Sequence, residues 1–201
     1  MRKKLNIFIL ILCSLFIVSI SNVKGQVHIA IQGGISKAKL NDTHYVENER
    51  TGYNIGIYIE PSLNKKETQY LNTGLELNLK GDCINEVIRS NYYLKNILYM
   101  NIPLTYSYKF NLSKNKLAIL PFAGCYGGVV LSANYSWRKE SDFIEELKSC
   151  DYGLILGLSV ELFNYLQVAV EYNKGLLDIH KISDDPYFNK ETKLCLRLFF
   201  N

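Results

Sequence analysis

From residue 27 onward the chain runs in segments in which apolar and polar residues alternate one by one. Val27, Ile29 and Ile31 interleave with His28, Ala30 and Gln32. Tyr53, Ile55, Ile57 and Ile59 stand against Asn54, Gly56, Tyr58 and Glu60, and Leu71, Thr73, Leu75, Leu77 and Leu79 against Asn72, Gly74, Glu76, Asn78 and Lys80. A fourth segment sets Leu98, Met100, Ile102, Leu104, Tyr106 and Tyr108 against Tyr99, Asn101, Pro103, Thr105, Ser107 and Lys109. A fifth, from Leu117 to Leu131, is Gly-rich and apolar on both faces, so its facing stays open. The sixth sets Tyr152, Leu154, Leu156, Leu158, Val160 and Leu162 against Gly153, Ile155, Gly157, Ser159 and Glu161. The seventh sets Leu166, Val168, Val170 and Tyr172 against Gln167, Ala169 and Glu171. The eighth sets Leu194, Leu196, Leu198 and Phe200 against Lys193, Cys195, Arg197 and Phe199. A period of two kept up over about 9–11 residues marks a strand with one apolar and one polar face. No segment carries a helical period over a useful length; the best candidate, Phe143 to Leu147, amounts to a turn or two.

The connections alternate in length. Longer pieces surround His44, Gly81 to Tyr92, Trp137 with Phe143, and Gly175 to Lys190; short ones lie at Pro61 to Thr68, Asn111 to Asn115 and near Asn164. Eight antiparallel strands with both termini at the short-turn end satisfy this order, which is that of an outer-membrane barrel with long loops outside and short periplasmic turns.

Alternation alone does not say which face is inside. The less apolar face carries Glu60, Glu76, Lys80, Lys109, Glu161, Glu171, Lys193 and Arg197, four acids and four bases, among small residues such as Gly56, Gly74, Gly153, Gly157 and Ala169. Glycine weakens a solvent-facing strand without local gain, whereas in a narrow barrel it makes room for long side chains. The mixture predicts an ion-paired, filled lumen, with Glu171 and Arg197 expected as partners on neighbouring strands. The other face is uncharged in these segments, with Tyr53, Tyr106, Tyr108, Phe110, Tyr152, Tyr172 and Phe200 near its ends, where aromatic rings favour the membrane–water interface. A soluble lipocalin-like barrel binding an apolar ligand, with the faces reversed, stays as an alternative.

The N-terminus sets the compartment. Arg2, Lys3 and Lys4 precede an apolar run from Leu5 to Ile20, and Val23 and Gly25 stand where a signal peptidase requires small residues. The sequence predicts a signal peptide over residues 1–25 and one barrel domain over 26–201. At about 16 residues the run is slightly short for a transmembrane anchor. Cys13 follows Leu12 rather than a small residue, so it reads as part of the apolar run and not as a lipidation site.

Removal of that leader changes the charge. The whole chain has 23 Lys and Arg against 19 Asp and Glu. The leader takes Arg2, Lys3, Lys4 and Lys24 and no acid, which leaves 19 of each sign. A near-neutral mature chain offers no electrostatic case for nucleic-acid binding.

Four motifs in order carry a resemblance. Leu98–Tyr99–Met100–Asn101–Ile102–Pro103–Leu104, Pro121–Phe122–Ala123–Gly124, Asp151–Tyr152–Gly153–Leu154–Ile155–Leu156–Gly157 and Glu171–Tyr172–Asn173–Lys174–Gly175–Leu176 resemble successive strands of the PorT-like outer-membrane β-barrel family of Bacteroidota, as does the leader ending at Gly25–Gln26. The chain departs from that family in ending on Asn201 after Phe199–Phe200. The resemblance implies an eight-stranded up-and-down barrel in the outer membrane, in contact with its lipid and with the barrel-insertion machinery. The family's named member is tied to type IX secretion and gliding, a role that the motifs do not carry over.

Little chemistry is visible. His44 lies beside Asp42, and His180 near Asp178, Asp184 and Asp185, all in connections expected outside. An omptin-like protease would need such pairs held in fixed geometry, and a solvated loop does not hold them. His28 is expected in the lumen as a hydrogen-bonded residue. No metal-ligand spacing or cofactor motif occurs. Of the mature cysteines Cys83, Cys125, Cys150 and Cys195, only Cys83 and Cys150 fall at one end, and free thiols are the expected state. The sequence therefore predicts a non-enzymatic structural or interaction barrel whose outer loops meet a protein or ligand. An outer-membrane enzyme, protease or lipid-modifying, is the rival reading.

Overall fold

The computed structural model describes residues 26–41, 47–48, 50–86, 91–113, 116–135, 148–179 and 188–200. Eight long strands make up most of these: β1 (Val27–Asn41), β2 (Arg50–Pro61), β3 (Gln69–Glu86), β4 (Asn91–Tyr108), β5 (Leu117–Tyr135), β6 (Cys150–Leu162), β7 (Leu166–Gly175) and β8 (Phe188–Phe200). Two short pieces extend them. Glu47–Asn48, just before β2, pairs with β3, and Phe110–Ser113, just after β4, pairs with β5.

Each strand pairs antiparallel with its neighbours in sequence. The last closes on the first, with Ile29 opposite Phe200 at one end and Asn41 opposite Phe188 at the other. Closure removes the unpaired edges an open sheet would expose, which is the condition for strands to cross hydrocarbon.

The faces are distributed as in a membrane barrel. Ile57 is 60% and Leu156 62% exposed on the outer surface, whereas Glu76 and Lys193 are each 2% exposed inside. This is the reverse of the soluble alternative. The facing read from the alternation holds in β1 to β4 and in β6 to β8. In β5 the register slips: Leu98 faces Ser132 but Tyr99 faces Val130, leaving Leu131 as an extra residue. A bulge of this kind swaps the faces of the strand beyond it. Below it Ala118, Leu120 and Tyr126 are buried; above it Ala133 is. Apolar residues on the inner face and the change of parity together hide β5 from a period-two reading.

Two connections are shorter than the sequence suggested. The stretch from Gly81 to Tyr92 is mostly strand, with Gly81 paired to Asn96 and Glu86 to Asn91. β8 begins at Phe188, inside the expected loop. An arm that projects past the bilayer needs no continuous apolar face, so it lacks the signature by which strands were sought. The tight turn between β6 and β7 has Phe163 and Asn164 at φ of 55° and 62°, as the two-residue hairpin turns that match strand twist require. His44, Trp137, Phe143 to Leu147 and His180 lie outside the described residues. Cys125, Cys150 and Cys195 are free thiols.

Candidate functional site

Inward-pointing residues of all eight strands meet in the lumen and fill it in layers. Glycine makes the space at two close approaches. A Cβ on Gly157 would sit 2.2 Å from the Phe122 ring, and one on Gly128 2.2 Å from the Asn101 carboxamide oxygen.

At the short-turn end Lys109 pairs with Glu161, and His28 stands 6.2 Å from both the Tyr70 and Phe199 rings. These residues, with Glu60, Glu67 and Lys66, line a polar vestibule of about 220 Å³. The next layer is built on Arg197. Its Nη1 lies 3.3 Å from Glu60 Oε2 and donates to Asn72 Oδ1 at 3.2 Å, its Nε and Nη2 donate to Gln32 Oε1 at 3.0 and 2.8 Å, and its guanidinium stacks 4.5 Å from the Tyr58 ring centre.

The middle layer centres on Lys193. Its ammonium lies 2.7 Å from Glu76 Oε1, 3.0 Å from Glu171 Oε1 and 4.0 Å from Glu191 Oε2. The Tyr58 hydroxyl donates to Glu76 Oε2 at 2.8 Å. The space left between this layer and Arg197 is about 10 Å³, at the limit of a single water.

Above it, Glu191 Oε2 accepts from Asn78 at 2.9 Å and Asn173 at 3.4 Å, and Asp151 Oδ2 from Asn189 at 2.7 Å and the Tyr126 hydroxyl at 3.0 Å. Lys80 Nζ lies 3.6 Å from Glu191 and 3.9 Å from Asp151, over the rings of Tyr99 and Tyr126. The far end is closed by an apolar plug. Ile179, 1% exposed, packs with Ile97, Tyr99 and Ala133. Its carbonyl accepts from the Lys148 amide at 2.7 Å, and Lys148 Nζ pairs with the neighbouring Asp178 at 3.2 Å.

All eight residues singled out in the sequence point into this interior, but the partners differ from the expectation. Glu171 pairs with Lys193 and not with Arg197. The register places Lys193 directly opposite Glu171 and Arg197 opposite Gln167. Four residues along a strand span about 13 Å, which puts Arg197 in a different layer, where it reaches across to β2. The balance of four acids against four bases is also corrected. Asp151 and Glu191 join the network, which holds Glu60, Glu76, Asp151, Glu161, Glu171 and Glu191 against Lys80, Lys109, Lys193 and Arg197. The two further carboxylates take amide and phenol donors beside the single ammonium of Lys80. Both residues were legible by parity: Asp151 lies two before Gly153, and Glu191 two before Lys193. Among the described residues no group of three or more His, Cys, Asp or Glu is placed to hold a metal ion.

Solved structures share this architecture. Neisserial surface protein A superposes with a TM-score of 0.51 at 12% identity, over 86% of this chain and 97% of that one. OprG from Pseudomonas aeruginosa gives 0.53 at 10% identity, over 90% and 99%. At such identities the likeness is one of fold. No curated protein matches the sequence. Residues 21–181 match the outer membrane protein beta-barrel domain, which covers most of the chain; the protein belongs to that family.

Proposed function

We propose that this protein is a non-catalytic outer-membrane barrel with a closed lumen, which presents its long-connection end outside the cell to a protein or ligand. One observation carries the reading: side chains of all eight strands fill the lumen, four cations set against six carboxylates, and Ile179 packs on Ile97, Tyr99 and Ala133 at the long-connection end. The charged side chains lie against one another, and the space between the middle layer and Arg197 holds no more than about one water, so they act as the barrel's internal framework. The leader supports export with cleavage after Gly25, followed by delivery to the barrel-insertion machinery. The four strand motifs favour the PorT-like branch of the family. Both termini at the short-turn end support a periplasmic position for that end.

Planar-bilayer recording of the purified barrel tests the closed lumen. No steady conductance is expected, and a large, stable conductance would refute it. Protease added to whole cells tests the orientation. Cleavage near Trp137 with sparing of the Pro61 and Asn111 turns is expected; the reverse pattern inverts the barrel.

A further inference from the structure

The vestibule at the short-turn end is a cup of about 220 Å³. It is blind, since the next space inward, beside Arg197, is about 10 Å³. Its inner wall carries Glu60 and Glu161, 2% and 5% exposed. One carboxylate oxygen of each is in an ion pair, with Arg197 and Lys109 respectively. Lys66 and Glu67, from the β2–β3 turn, and Asn164, from the β6–β7 turn, complete the lining. Among the described residues no hydrogen bond or ion pair holds the side chain of Lys66, Glu67 or Asn164. Two turns far apart in the chain thus set an ammonium, a carboxylate and a carboxamide, all uncommitted, around one cavity.

The β2–β3 turn is built to hold its place. The Asn64 carboxamide oxygen accepts from the Thr68 amide at 2.9 Å, and Asn64 Nδ2 donates to Thr68 Oγ1 at 2.8 Å. The Tyr70 hydroxyl donates to the Glu67 carbonyl at 2.7 Å. These bonds keep Glu67 at φ of 50°, a region that residues other than glycine occupy rarely. The charges around the cup balance: Glu60, Glu67 and Glu161 stand with Arg197, Lys66 and Lys109. A simple anion or a simple cation would meet like charge beside its partner, which costs affinity, whereas a molecule carrying both signs gains at both ends. The volume lies below the roughly 300–1,000 Å³ of pockets for drug-sized ligands, which suits a molecule the size of an amino acid.

We propose that the vestibule binds a zwitterionic α-amino-acid group, with its carboxylate on Lys66 and the Asn164 amide and its ammonium on Glu67, over the inner carboxylates of Glu60 and Glu161. The group is a free amino acid or the end of a peptide side chain. A periplasmic source rests on the orientation proposed above; the binding itself does not, and a blind cup binds without passing its ligand on.

Amide chemical-shift titration of the folded, full-length mature barrel in non-ionic micelles tests it, with four probes: L-alanine, N-acetylalanine, which lacks the ammonium, alanine methyl ester, which lacks the carboxylate, and γ-glutamyl-diaminopimelate, which carries the zwitterion at the end of a longer chain. L-Alanine should shift the amides of Thr68 and Asn164 saturably. Hydrogen bonds to charged groups are the stronger ones, and losing one is worth roughly tenfold in affinity, so N-acetylalanine and the ester should each bind about tenfold more weakly. Lys66→Gln should weaken L-alanine about tenfold and leave the ester unchanged. Glu67→Gln should weaken L-alanine by a similar factor and leave N-acetylalanine unchanged. Both positions lie on a surface turn, and heat-modifiable gel migration verifies that each variant is folded. Tighter binding of γ-glutamyl-diaminopimelate than of L-alanine assigns the site to a peptide-borne group, and the reverse to a free amino acid. Equal binding of L-alanine, N-acetylalanine and the ester, unchanged L-alanine affinity in either variant, or no saturable shift with either zwitterion would overturn the site. Inverted topology would appear in the whole-cell protease pattern and leave these measurements unaltered.

Discussion

Lys193→Met removes the cation at the centre of the lumen while keeping much of its volume. Lys193 is 2% exposed and lies against Glu76 and Glu171, themselves 2% and 7% exposed. Methionine leaves both carboxylates without their cation. Glu76 keeps the Tyr58 hydroxyl on Oε2, which offsets part of the loss. Removing one partner of a buried ion pair costs about 3–5 kcal/mol, and here a single ammonium contacts two acids at 2.7 and 3.0 Å. The upper part of that range, about 4–5 kcal/mol, is expected. With a urea slope of about 2 kcal/mol per molar, the midpoint should fall by about 2 M. The assay is equilibrium unfolding of the refolded barrel in micelles, read by the gel shift between folded and unfolded forms. Lys193→Met combined with Glu171→Gln should recover part of the loss, because one uncompensated charge is withdrawn. Lys109→Met is the control: Lys109 sits at the vestibule with a side chain 12% exposed, and its loss should cost less. If Lys193→Met lies within about 1 kcal/mol of wild type, the value typical of solvated surface pairs, the lumen is hydrated and the paired-framework reasoning fails.

Other substitutions probe the remaining layers and the outer surface. Arg197→Ala leaves Glu60, 2% exposed, without its cation and takes two donors from Gln32, and should destabilise the barrel by about 3–5 kcal/mol in the same assay; a loss near 1 kcal/mol would mean that Glu60 reaches water through the vestibule. Leu156→Arg places a charge on the 62% exposed outer surface and should cost about 2–4 kcal/mol in bilayers if that position lies at mid-membrane; a neutral result would show that this surface does not face hydrocarbon. Gly157→Ala should be destabilising against the Phe122 ring and should be partly rescued by Phe122→Ala, a coupling that a double-mutant cycle measures.

The sequence alone determined most of the strands, their facing and eight of the ten charges of the lumen network, Asp151 and Glu191 being the two it left out, because each is written in a local period. In a strand that crosses a membrane, alternate residues meet lipid and lumen, so Leu154, Leu156 and Leu158 announce one surface and Gly157, Ser159 and Glu161 the other. The same logic located Glu60, Glu76, Lys80, Lys109, Glu161, Glu171, Lys193 and Arg197. It failed in β5, where the bulge at Leu131 changes the period, and along the arm at Gly81 to Tyr92, where no lipid imposes an apolar face. What tertiary structure decided was pairing. Whether Glu171 meets Arg197 or Lys193 depends on strand register, and a displacement of four residues moves a side chain to another layer. The same holds for Glu60 with Arg197, whose strands meet only across the lumen. Periodicity is a property of one strand and survives in the sequence; register is a relation between strands, set when turns, bulges and closure satisfy all eight at once.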